Sequence, residues 1–164
     1  MEAVVDRRQQ RTRDAIRRAF IALATNRRYE DFGVGELVAE ANIGRSTFYE
    51  HYRGKDDVLH ALMDHMLTEL ADAADGTVSA EKLTGLLKHF WDNRRLGKVV
   101  FGPQLGPTVR RRLSDLIEQR TSFAKAQAAF LAAGQIGLLH SWLTGEVAAE
   151  PEAVAAILIG GAPI

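Results

Sequence analysis

Cysteine is absent from the 164 residues, which excludes disulfides, thiolate metal sites and cysteine nucleophiles together. No apolar run approaches the ~18–20 residues that span a membrane; the longest stretches, such as Val154 to Ile159, are far shorter. The N-terminus is charged and arginine-rich and has no apolar segment of the signal-peptide kind. These absences set the expectation of a soluble cytoplasmic protein with no membrane partner. Alternating β-branched runs are also missing, as are internal repeats, low-complexity tracts and Pro/Ser-rich linkers. No phosphate loop, nucleophile motif or paired carboxylate stands out, and the expectation is a protein that is not an enzyme and carries no cofactor. His60 and His65 are five residues apart, so they do not stack on one helical face, and no metal site is expected.

Net charge is likewise absent, with 21 Lys/Arg against 21 Asp/Glu, but its distribution is uneven. Residues 1–55 carry a net charge of +3 and residues 56–164 a net charge of −3. Arg7, Arg8, Arg11, Arg13, Arg17 and Arg18 cluster in the first stretch. A chain with one nucleic-acid-facing end would be split in this way, and so would one with an ordinary solvated helix face.

Apolar residues amount to 46%, ample for a core, and they recur at helical spacing nearly throughout. A first helix from about Arg8 to Thr25 turns Ile16, Ala19, Phe20 and Leu23 inward. A short helix opened by Gly33 carries Val34, Leu37, Val38 and Ala41. Asn42, a residue that tolerates the left-handed conformation, then marks a sharp turn with Ile43 and Gly44. Arg45 to Tyr52 form a second short helix, and Lys55 to about Ala74 a long one with Asp56 and Asp57 in its first turn, where the dipole favours them. Further helices are expected at about 80–94, 96–101, 108–122, 124–144 and 152–160, with Pro107 and Pro151 at helical starts. The predicted fold class is all-α: a three-helix, helix-turn-helix domain over 1–55, with its motif at about 33–52 and a linking helix at 55–74, and a helical bundle over 56–164.

Two short helices joined by a tight turn have the spacing of a helix-turn-helix, whose second helix enters the major groove. Phe48 and Tyr52 share one face of that second helix, leaving Ser46, Thr47, Tyr49 and Glu50 pointing away from it. A face of hydroxyls, a phenol and a carboxylate suits phosphates, thymine methyls or a cytosine amine. Arg45 at the helix start is placed for bidentate reading of guanine, with His51 and Lys55 toward the backbone. The predicted DNA-binding set is therefore Arg45, Ser46, Thr47, Tyr49, Glu50, His51 and Lys55.

The run from Leu37 to Tyr52, followed by Lys55 and Leu59, resembles the signature of the TetR family of transcriptional regulators (TetR/AcrR-like). Its marks are a helix ending in Ala41, the turn with Gly44, Thr47-Phe48-Tyr49, His51-Tyr52 and a lysine opening the next helix. The resemblance covers about residues 10–70 and implies a repressor that binds palindromic operator DNA as a homodimer and is released by a small-molecule effector. It further implies phosphate binding by Thr47, Tyr49 and Lys55, and base reading at the variable positions Arg45 and Ser46. Three positions depart from the pattern. Asn42 stands for the usual turn glycine, while Gly33 and Gly44 stand for the Thr and Ser that usually cap the two helices. Glycine is an adequate cap, yet two hydroxyls are lost, so weaker or less rigid DNA contacts are expected. The competing expectation is a sensor or interaction module of the same fold that no longer binds DNA.

Residues 124–144 are apolar around most of the circumference, as in a helix buried on more than one side. With 152–160 they resemble the last two helices of TetR-like proteins, which implies a dimer seam, with Leu138 and Leu139 expected in it. Leu96, Val99 and the set His89, Phe90, Trp91, Val100, Phe101, Phe123 and Phe130 are candidates to line an effector cavity, with His89 as polar anchor. Such a cavity would suit an apolar or aromatic effector; the same residues also read as ordinary core. Arg110-Arg111-Arg112 reads as a second basic patch or a solvated helix face.

Overall fold

In the computed structural model, residues 2–160 are described; Met1 and residues 161–164, the extreme ends of the two expected domains, lie outside them. Nine α-helices and one short 3-10 turn make up the secondary structure of the described residues, with no strand among them. The chain divides into two compact units, Met1–Asp64 and His65–Ile164. The division falls inside a helix, not before it at residue 55 as expected, because the start of that helix is bonded into the first unit.

In the first unit, α1 (Glu2–Asn26) buries Ile16, Ala19, Phe20, Leu23 and Ala24 at intervals of three to four residues. Its start lies upstream of the expected Arg8. Asn26 closes it by donating from Nδ2 to the carbonyl of Ala22, at 2.8 Å. The 3-10 turn Tyr29–Asp31 was not anticipated. It brings Tyr29 against Phe20 and Phe32, and the three rings meet edge to face at centroid distances of 6.2, 5.8 and 5.9 Å.

Helix α2 (Val34–Glu40) buries Leu37 and Val38. It ends at Ala41, and Asn42 takes φ 53°, the left-handed conformation that lets the chain reverse. The N–H of Ile43 reaches the carbonyl of Val38 at 3.0 Å and that of Asn42 reaches Ala39 at 3.1 Å. This pair of bonds is a Schellman closure, with asparagine in the place glycine usually takes. Helix α3 (Arg45–Tyr49) follows from Gly44 and buries Phe48. It is shorter than the expected run to Tyr52, but Tyr52 remains in the core. Helix α4 (Lys55–Ala74) is seated in this unit by Val58 and Leu59, both buried, and by Arg17, which donates to the carbonyl of Ala61 at 3.3 Å.

The second unit contains the rest of α4 and five helices: α5 (Ala80–Asp92), α6 (Arg94–Phe101), α7 (Gly106–Arg120), α8 (Lys125–Thr144) and α9 (Pro151–Gly160). Ser79 caps α5 by accepting from the Lys82 N–H at 3.2 Å. Helix α8 is the organiser and buries eight side chains, among them Leu131, Ile136, Leu139, Trp142 and Leu143. It packs against α6 and α7, while α5 packs on α9. Gly97 lets α6 approach closely: a Cβ there would stand 2.7 Å from Leu143 Cδ1. Gln135, buried in α8, donates to the carbonyl of Leu70 on α4 at 2.9 Å, and Trp142 donates from Nε1 to Ala149 at 2.8 Å. Leu139 is fully buried inside its own unit and Leu138 only half so. Adjacent helical residues point ~100° apart, so the expected seam cannot contain both. The outward stripe of α8 instead runs through Phe130, Ala133, Gly134 and Gly137.

Candidate nucleic-acid interface

The local sequence sets α3 on a firm base. Phe48 is 0% exposed and Tyr52 8%, and both rings pack together at 5.9 Å. With that face committed to the core, helical geometry turns the intervening residues outward. Tyr49 is 55% exposed, its ring edge-on to Phe48. Arg45, Ser46 and Glu50 are exposed, and Thr47 and His51 are half-buried. The structure thus gathers six of the seven residues expected at the interface, Arg45, Ser46, Thr47, Tyr49, Glu50 and His51, on or just after one short helix. No side chain caps α2 or α3, as the two glycines dictate. Glu36 makes up for part of this at α2: its carboxylate accepts from the Gly33 N–H at 3.0 Å. That bond holds the Glu36 carboxyl below its ordinary range, helped by Arg27 and Arg45 nearby.

Lys55 is the seventh residue, and its ammonium has partners within the fold that the sequence did not announce. Its ammonium turns inward, donating to the carbonyls of Tyr29 at 2.6 Å and Phe32 at 2.8 Å. It also sits 4.1 Å from the Tyr29 ring centroid and 5.2 Å from that of Phe32. Two of its three donors are spent on the bend between α1 and α2, so its first role is to clamp that bend. Tyr29 completes the clamp by donating its hydroxyl to Asp56. Burial, then that carboxylate, push the Tyr29 phenol far above its usual range, so it stays a neutral donor.

One contributor escaped sequence reasoning. A Cβ at Gly35 would meet Arg45 Nη2 at 3.2 Å, so the guanidinium lies across the bare backbone of α2. The absence of a side chain at position 35 permits this close approach, and the pattern of the sequence gave no sign that the two positions meet.

Of the residues expected to line an effector cavity, Phe90 and Phe101 meet each other. A cavity of about 280 Å³ lies beside α6, α7 and α8, and of those residues only Phe101 lines it. Phe90 packs edge to face on Phe101 at 5.5 Å and is core. Trp91 stacks on Trp142 at 5.1 Å with Arg94 above it. His89 is exposed beside Asn93, and Val100 and Phe123 are half-buried. Phe130 is 76% exposed and lines no interior wall, because it lies on the outward stripe of α8. No helix among the described residues is long and apolar enough to cross a membrane.

The sequence model of the bacterial regulatory proteins, tetR family, matches residues 16–62. That span covers α2, the turn at Asn42, α3 and the start of α4. A Bacillus subtilis (strain 168) protein named as an uncharacterized HTH-type transcriptional regulator, YxbF, is 35% identical over 72 residues, which is 43% of this chain and 19% of that protein. The chain therefore spans about a fifth of the length of that relative. The crystal structure of a TetR transcriptional regulator from Streptococcus agalactiae 2603V aligns over 100% of both chains, with a TM-score of 0.64 and 26% identity. The dihydroxyacetone kinase operon activator DhaS shares the fold, with a TM-score of 0.53 and 17% identity over 91% of this chain and 92% of its own. With the helix-turn-helix geometry, these likenesses show that residues 16–62 match the DNA-binding domain of the tetR family and that the chain has the fold of a TetR transcriptional regulator.

Proposed function

We propose that the protein is a one-component transcriptional repressor that binds a palindromic operator as a homodimer and is released by a small-molecule effector. The observation that carries this reading is the outward face of α3, where Arg45, Ser46, Tyr49 and Glu50 are exposed and Thr47 half-buried while Phe48 anchors the helix from behind. Thr47 and Tyr49 contact phosphate and set the register, whereas Arg45 and Ser46 meet base edges. Dimerisation rests on a second observation. Phe130 is 76% and Ile157 54% exposed, and Ala133, Gly134, Gly137 and Ala156 continue the outward stripes of α8 and α9. Small residues between two large apolar ones allow close helix approach, and a second copy of the chain covers them. A dimer presents two copies of α3 to two half-sites, which multiplies the affinity of each.

The effector acts on the second unit, and the continuous helix α4 links that unit covalently to the reading head. A difference of a few kcal/mol in effector affinity between two conformers is enough to empty most operators. The test is a fluorescence anisotropy titration with DNA from upstream of the protein's own gene, run at several salt concentrations. Repressor function requires saturable binding to one duplex, weaker binding to scrambled DNA and a negative salt slope. Equal affinity for both duplexes would overturn the reading and favour a module that has lost operator recognition.

A further inference from the structure

We propose that the cavity beside the α6–α7 connection is a binding site for a small monocarboxylate with a compact apolar body, held at its charged end by Arg110 and His140. The proposal rests on the reading of the protein as effector-responsive and names the effector's chemistry. The cavity measures about 280 Å³. An enclosed apolar cavity of about 150 Å³ accepts a benzene ring, so this one has room for a ring or branched chain plus one small polar group. It lies just under the ~300 Å³ at which cavities for drug-sized ligands begin, which favours a small ligand.

Its wall is apolar where Phe101 and Ile136 contribute, and basic where Arg110 and His140 do. No carboxylate lines it. Neither the Arg110 guanidinium nor the His140 ring has a side-chain hydrogen bond, ion pair or ring contact among the described residues. Three other cationic groups of this unit are occupied: Lys82 bonds Glu69 at 2.6 Å, Lys88 bonds Glu152 at 2.8 Å and Arg120 bonds Asp72 at 2.6 Å; Arg95, Lys98, Arg111 and Lys125 lie outside the cavity lining. An uncommitted planar guanidinium and an uncommitted imidazole lining the same cavity supply donors suited to the two oxygens of one carboxylate.

The rim is preformed. A Cβ on Gly102 would stand 2.3 Å from the Lys98 carbonyl oxygen, and one on Gly106 would stand 2.8 Å from that of Phe101. Both glycines therefore permit a turn that no other residue could make in this shape, and Pro103 and Pro107 stiffen it. A rigid rim means little ordering accompanies binding. Ala133 and Gly137 line the same cavity and also lie on the outward stripe of α8. An occupant therefore presses on the surface assigned above to the second copy.

The experiment is isothermal titration calorimetry on the full-length protein without DNA, with benzoate, cyclohexanecarboxylate, benzamide and inorganic phosphate as probes. Expected are one benzoate per chain, similar binding of cyclohexanecarboxylate, and at least tenfold weaker binding of benzamide and phosphate. R110Q should lose benzoate at least tenfold, and R111Q, altering an exposed neighbour outside the cavity, should retain it. Equal affinity for benzoate and benzamide in the wild-type protein overturns the proposal even if R110Q fails to fold. So does equal loss in R110Q and R111Q, or no heat with any carboxylate. Benzoate binding that leaves operator affinity unchanged upholds the site and counts instead against release by an effector.

Discussion

Replacing Lys55 by methionine removes an ammonium and leaves most of its aliphatic stem, so it isolates the clamp on the α1–α2 bend. Two carbonyl bonds are lost, at 2.6 and 2.8 Å, together with the contact over the Tyr29 ring. Hydrogen bonds to a charged group contribute ~1.5–3 kcal/mol each, and a partly solvated cation–π contact ~0.5–1 kcal/mol. Lys55 is half-buried, so water reaches the opened carbonyls and the loss falls below the ~3.5 kcal/mol that the lower ends of these ranges sum to. The expected destabilisation is about 2–3 kcal/mol, a large share of a typical total of ~5–15 kcal/mol. With a urea slope of ~1.5 kcal/mol/M, the midpoint falls by ~1.5–2 M. The protein supplies its own reporters, because all three tyrosines (29, 49 and 52) lie in the first unit and both tryptophans (91 and 142) in the second. Second-derivative absorbance should show the tyrosine transition moving to lower urea. A phosphate-binding lysine behaves differently: its loss flattens the salt dependence of DNA binding by about one unit and leaves the folded state alone. An unchanged tyrosine midpoint with a salt slope shallower by one would refute the clamp and restore the phosphate role.

Three other substitutions probe the remaining assignments. The double change F130E/I157E places charges on exposed positions, so the fold should persist while sedimentation equilibrium shows monomers and operator affinity collapses; a wild-type protein that is monomeric at micromolar concentration would sink the dimer. G35A should leave stability within ~1 kcal/mol, since alanine favours the helix and only the end of Arg45 must move. It should nonetheless change base preference at the pair read by Arg45, as measured over all single-base operator variants, and an unchanged rank order would mean that Arg45 does not read a base. Glu36 has a lowered pKa, so its contribution to stability is present above the ordinary carboxylate pKa of ~4.3 and fades as pH falls through the lower folded-state value. The difference in urea midpoint between the wild-type protein and E36Q should shrink between about pH 5 and pH 3, and a pH-independent difference would assign Glu36 no capping role.

Chain-local properties were legible before any coordinates. Helical periodicity, the left-handed tolerance of Asn42 and the spacing of Phe48 and Tyr52 are consequences of bonds between near neighbours, and these determined the helices, the turn and the outward face of α3. Glycines 33 and 44 likewise announced two helices without side-chain caps. What the sequence could not show depends on which distant groups meet. Lys55 reads as a free cation until the bend 23 to 26 residues earlier in the chain folds under it and offers two carbonyls. Phe130 and Leu139 are equally apolar in sequence, but helix α8 has neighbours on some sides only, so one is exposed and the other is core. Arg110 reads as one member of a solvated arginine run, and it is exposed in the structure; His140 reads as a residue of an apolar helix. Only the tertiary packing of α7 on α8, with two glycines tightening the loop between α6 and α7, brings these two basic side chains to one cavity wall. Close approach of elements far apart in the chain is set by the sum of all packing contacts, and no local pattern encodes it.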